Sequence, residues 1–103
     1  MVRIMVLYPN KPGSHFDADY YLNTHVPMAA RLVGPAAKAI TVEIGRPGPD
    51  GKPAPFAAIG AFTAETVEQF MQAFMPAMGE LMADIPHYTD IEPVIQFSDI
   101  RLG

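Results

Sequence analysis

At 103 residues the chain is long enough for one compact domain and too short for two, so residues 1–103 are expected to form a single unit. A formal net charge of −4, from seven Lys and Arg scattered singly against eleven Asp and Glu, argues against nucleic-acid binding, which needs clustered cations. Half the residues are hydrophobic, which argues against disorder, and the lack of cysteine excludes disulfides, thiolate catalysis and thiolate metal sites.

The opening run VRIMVLY, residues 2–8, is rich in β-prone side chains and stops at Pro9-Asn10-Lys11-Pro12-Gly13, which reads as a first strand. It is too short for the apolar region of a secretion signal. No stretch of about 18 apolar residues follows that could span a membrane. A cytoplasmic protein is expected. Asp17 stands where a helix N-cap belongs, and Tyr21, His25, Met28 and Leu32 recur at helical spacing up to Gly34-Pro35, which predicts a first helix.

Residues 38–45, KAITVEIG, alternate as a half-exposed second strand. RPGPDGKPAP, residues 46–55, carries four prolines and two glycines and predicts a surface loop. FAAIGAF, residues 56–62, reads as a buried third strand in which Gly60 marks a bulge or a close approach by another group. Thr66-Val67-Glu68-Gln69 fits a capping box, and Val67, Phe70, Met71, Phe74, Met78, Leu81, Met82 and Ile85 mark a second helix. Pro76 and Gly79 predict a kink or split in it near residue 75. A turn at PHYTD leads to a fourth strand over residues 91–98, with Pro93 favouring an edge or a bulge.

The order β-α-β-β-α-β predicts an α+β, ferredoxin-like domain: a four-stranded antiparallel sheet with both helices on one face. Strands one and three lack a plainly polar side, so the other face is expected to be covered by a second copy in a homodimer.

Chemistry concentrates in FDADYYLNTHVPM, residues 16–28. Tyr21 and His25 lie four apart on one helical face, with Tyr20 and Asn23 on neighbouring strips, and Pro27 deprives the Asn23 carbonyl of its helical donor. One reading makes His25 a general acid or base, with Tyr20 or Tyr21 donating to a substrate oxygen and Asn23 orienting it. The other makes Tyr21 and His25 core residues with satisfied polar tips. His15 and His87 are expected in loops, and no metal-ligand or nucleotide-binding spacing accompanies the histidines. Phe70, Phe74 and Met78 form a stripe that either completes the core or, facing the small residues of strand three, lines a hollow for an apolar molecule.

FDADYYLNTHVPM and MADIPHYTDIEPVIQ, residues 82–96, with LYPN in strand one, give the chain a resemblance to the EthD family of the dimeric α+β barrel superfamily. The resemblance runs nearly end to end, and Tyr20, Tyr21, His25 and Pro27 match the family's motif in place. It implies a homodimer whose sheets close into a barrel-like core, with a cavity between sheet and helices. It also implies a setting: a bacterial gene cluster for degrading ethyl tert-butyl ether, beside a cytochrome P450 system. The superfamily spans cofactor-free monooxygenases, cyclases, dehydratases, isomerases and haem enzymes, so the fold does not choose a reaction. Two functions are therefore expected side by side. One is an accessory or carrier protein that binds an apolar small molecule for an oxygenase partner. The other is a cofactor-free enzyme using His25 and Tyr21, with Tyr20, Asn23, Phe70, Phe74 and Met78 shaping the ligand site.

Overall fold

Along strand β1 (Val2–Pro9), even-numbered Ile4 and Tyr8 are buried while odd-numbered Arg3, Met5 and Leu7 stay half open, so the strand's period of two separates two sheet faces. A computed structural model describes residues 1–103. Strands β2 (Ala39–Ile44), β3 (Phe56–Ala64) and β4 (Val94–Asp99) join β1 in one sheet, ordered β2-β3-β1-β4 with every neighbour antiparallel. With a helical segment after β1 and another after β3, this is the ferredoxin-like α+β arrangement. Beginning β4 at Val94 places Pro93, which has no N–H to give the ladder, just outside it.

The first helix occupies residues 18–33 and is not uniform. An α-turn at Ala18–Tyr20 passes into a π-turn at Tyr21–His25 and returns to α-helix at Val26–Val33. Gly34, at φ 65°, ends it in a conformation that a side chain would resist. Instead of the expected stripe, the buried positions are Tyr21, His25, Ala29 and Val33, with Met28 and Leu32 only partly covered. The π-turn is the reason, because it absorbs one residue and rephases what precedes it.

The second helix, Val67–Asp84, starts on the Thr66 hydroxyl, which accepts the Gln69 N–H at 3.1 Å. It continues through Pro76 without the split that was one of the two outcomes expected there. Pro76 leaves the Gln72 carbonyl without its helical donor, but both residues are exposed, so water can serve that oxygen. No helix is long and apolar enough to cross a membrane.

The core divides in two. Ile4, Ala29, Val33, Phe62, Ala64, Phe70, Ala77 and Leu81 form an apolar cluster under both helices. Tyr8, Tyr21, Ala58, Tyr88 and Ile91 form a second, where tyrosine replaces aliphatic side chains. The opposite face of the sheet carries Met5 across from Ala61, and Leu7 across from Ile59 and Val94. Met5, Leu7 and Ile59 are half-buried and Val94 is exposed, with no helix over them.

Candidate functional site

The site begins with the cap that starts the first helix. Asp17 accepts the Tyr20 N–H through its carboxylate at 3.1 Å, fixing the turn on which Tyr20 and Tyr21 stand. Farther along, the Val26 N–H reaches back to the Tyr21 carbonyl, five residues away, and Pro27 has no N–H to offer. The resulting turn holds Tyr21 and His25 inward, 3% and 8% exposed, and leaves Leu22, Asn23 and Thr24 in solvent. Their rings stack with centroids 5.8 Å apart and planes 17° from parallel.

Asp84, the last residue of the second helix, meets this turn from the other side. Its Oδ2 lies 2.9 Å from His25 Nδ1, and its Oδ1 accepts the Tyr20 hydroxyl at 2.7 Å. A carboxylate only accepts, so His25 carries its proton on Nδ1 and leaves Nε2 as the nitrogen free for other partners. Burial pushes the Asp84 carboxyl up, but hydrogen bonds from Tyr20 and His25 outweigh it and hold the group below its ordinary value. The same bond to Asp84 raises the Tyr20 phenol. His87 lies exposed at 3.6 Å from Asp84 Oδ1, and its ring stacks on Tyr20 at 6.1 Å.

Behind His25 stands a cluster of phenols. The Tyr8 and Tyr88 hydroxyls share a 2.7 Å hydrogen bond, and the Tyr88 ring lies 4.7 Å from His25 and 5.3 Å from Tyr21. Phe16 packs edge-on against Tyr8 and Tyr21, at 5.1 Å from each. Burial raises the phenols of Tyr8, Tyr21 and Tyr88 above the ordinary range. Gly60 lies on the helix-facing side of β3, opposite Val6, and a Cβ there would meet the Tyr21 hydroxyl at 2.5 Å. The close approach expected at Gly60 is therefore made by Tyr21.

A cavity of about 220 Å³ opens between this cluster, the sheet and the second helix. Tyr8, Tyr21 and His25 line one part of its wall, and Val6, Val42, Phe74, Met78 and Leu81 supply much of the apolar remainder. Tyr21, His25, Phe74 and Met78, singled out from the sequence, thus share one space. The other three do not border it. Tyr20 reaches Asp84 instead, Asn23 points to solvent, and Phe70 is fully buried in the apolar core beside a second hollow of about 240 Å³. No three histidine, aspartate or glutamate side chains converge as a metal site requires.

Sequence reasoning missed Asp84, Tyr8, Tyr88 and Glu92. Asp84 and Tyr88 belong to DIPHY, whose polar residues surround a proline as those of the first helix do, but no spacing rule pairs residues 25 and 84. Tyr8 looked like the end of a strand. A tyrosine on the inward parity of an otherwise aliphatic strand was the available signal.

A ferredoxin-like domain with a polar-tipped cavity between sheet and helices defines a class of small α+β proteins rather than a reaction. Within it, the EthD domain model matches residues 15–92, and the chain belongs to the EthD family. The chain is similar to the crystal structure of an EthD-like protein from Ralstonia eutropha JMP134, with 37% identity and a TM-score of 0.93 over 98% of this chain and 92% of that one. It also resembles an ethyl tert-butyl ether (EthD) family protein of Bacillus halodurans C-125, at 19% identity and a TM-score of 0.69, covering 97% and 98% of the two chains. A protein of Arabidopsis thaliana shares the fold at 16% identity and a TM-score of 0.69, covering 100% and 98%. No curated protein matches the chain.

Proposed function

We propose that the chain binds an apolar, oxygen-bearing small molecule in the 220 Å³ cavity and that His25, oriented by Asp84, moves a proton to or from it. The observation that carries this reading is the 2.9 Å His25–Asp84 pair at the wall of an apolar space. Asp84 fixes the ring and the tautomer, as a general base requires, and Nε2 is left to accept a proton from carbon or oxygen. A Tyr8 or Tyr21 hydroxyl can donate to a ligand carbonyl, stabilising the oxyanion that forms when Nε2 takes a proton from the adjacent carbon. Return of that proton to a different atom is an isomerisation. Delivery of a solvent deuteron to the same carbon, after the proton on Nε2 has passed to water, is hydrogen exchange.

The exchange is the practical test. The protein is incubated in D2O with a panel of apolar aryl ketones, and loss of the signal from hydrogens next to the carbonyl is followed by proton NMR. Wild type is expected to accelerate exchange, His25→Ala to abolish the acceleration and Asp84→Asn to lower it at least tenfold. Binding without acceleration across the panel would overturn the proton-transfer role.

That outcome would favour the second reading, an accessory or carrier protein that holds an apolar compound for an oxygenase partner in an ether-degradation type of pathway. A wall that is apolar almost throughout supports it. Both readings include a homodimer formed through the open sheet face, supported by Met5, Leu7, Ile59 and Val94 lying uncovered there. Sedimentation at micromolar concentration tests it: a species of 11.2 kDa alone would refute the dimer.

A further inference from the structure

The charged groups around the cavity are distributed unevenly. None of the chain's seven Lys and Arg lines it. Two carboxylates are near, Asp84 behind His25 and Glu92 in the wall itself. Glu92 is exposed although it lines the cavity, which places it at the opening. The chain's three ion pairs each join a histidine to an aspartate, so the Glu92 charge is uncompensated. His25, the one lining group able to become a cation, already faces Asp84 at 2.9 Å.

Building on the binding role proposed above, we infer that this cavity selects uncharged ketones and phenols of one or two rings, and that Glu92 at its mouth is a specificity-determining residue that turns carboxylate analogues away. Size sets the first limit. An apolar cavity of about 150 Å³ admits benzene, so 220 Å³ fits a substituted ring or a compact bicycle. Charge sets the second. An anion entering this space gives up its hydration and meets no cation, which costs far more than a neutral carbonyl loses on exchanging water for a tyrosine hydroxyl. Glu92 adds repulsion where the ligand enters. Being exposed, it acts through water and contributes less than the desolvation.

The test compares matched pairs of equal shape and different charge: 4-isopropylacetophenone with 4-isopropylbenzoate, and 2-acetylnaphthalene with 2-naphthoate. Dissociation constants are read at pH 7 from amide chemical shifts of the full-length protein. The ketone of each pair is expected to bind at least about 30-fold more tightly than the acid. Glu92→Lys is expected to cut that ratio about tenfold, and Glu92→Gln about threefold, with the Glu92 effect shrinking as salt is added. Equal binding of acid and ketone would overturn the charge selection while leaving the cavity a binding site. A ratio unmoved by Glu92→Lys would overturn the role of Glu92. If neither member of any pair shifts residues lining the cavity, both the selection and the binding role beneath it fall.

Discussion

The two halves of the core are built by opposite rules. Under the helices, Phe62 and Phe70 lie 5.0 Å apart among Ile4, Val33 and Leu81, side chains with no polar atom to satisfy. Around Tyr8, the Tyr21 and Tyr88 rings lie at 5.5 and 6.0 Å, and each of the three ends in a hydroxyl that needs a partner or an opening. The first half has no polar atom to serve, and even the hollow of about 240 Å³ beside Phe70 is walled by apolar side chains alone. In the second, Gly60 keeps room free for the Tyr21 hydroxyl beside the cavity. Core packing and the cavity thus draw on the same sheet, two residues apart at Phe62 and Gly60.

The contrast can be broken most forcefully in the apolar half. Phe70→Ala is expected to cost about 3–5 kcal/mol, enough to unfold much of the protein, and chemical denaturation followed by circular dichroism measures it. Gly60→Ala comes next, at roughly 1–3 kcal/mol, because the new methyl collides with the Tyr21 hydroxyl. In Gly60→Ala/Tyr21→Phe that collision is gone, the ring carbon lying at 3.8 Å from the Cβ position, so the double variant should be less destabilised than the sum of the singles. Strict additivity would show that Gly60 serves something other than Tyr21.

Titration sharpens the difference without mutation. The phenols of Tyr8, Tyr21 and Tyr88 are raised in the folded protein, so the unfolded chain releases protons first once pH passes about 10. Their contribution is whole below that pH and declines above it. Absorbance at 295 nm is expected to stay flat past the ordinary tyrosine range and then rise together with unfolding. A native phenolate rise larger than the half-buried Tyr20 alone can give would contradict burial of the cluster.

Tyr88→Phe is a smaller change, about 1 kcal/mol for the lost hydroxyl pair with Tyr8, read as a lower denaturation midpoint. The smallest effect is expected at Asp84. Its carboxyl is held low in the fold, so its contribution is present above the ordinary carboxylate value and is lost as pH falls through the lower, folded value. Asp84→Asn should flatten that part of the acid limb and leave the alkaline limb as it was.

Most of the architecture was legible because strand alternation, the Asp17 and Thr66 caps and the proline-rich loop are local signals. Strand ends moved by one to three residues, as when β3 extended to Ala64 opposite Val2 and β4 began at Val94, past Pro93. Pro76 does not split its helix because its effect depends on which side of the helix faces water, a tertiary fact. Half of the site was legible for the same reason as the strands: Tyr21 and His25 are neighbours on one turn. The other half comes from Asp84, 59 residues from His25, and Tyr88, 80 from Tyr8, separations that only the folded topology closes.

The π-turn at Tyr21–His25 makes the site depend on chain length as well as chemistry. Eight steps of an ordinary helix would set Tyr21 about 80° away from the direction of Ala29, whereas one residue absorbed in the wide turn leaves about 20°. The reading frame of the helix is thus offset by one, and Tyr21 faces Gly60 only in that frame. Losing one of Leu22, Asn23 or Thr24, all exposed and touching nothing in the cavity, would let the segment close as regular α-helix with Tyr21 still within about 20° of Ala29, whereas adding a residue there would turn Tyr21 away by about 100°. The proline-rich loop at residues 46–55 carries no such phase. In this segment the count of residues sets which side chains face the cavity.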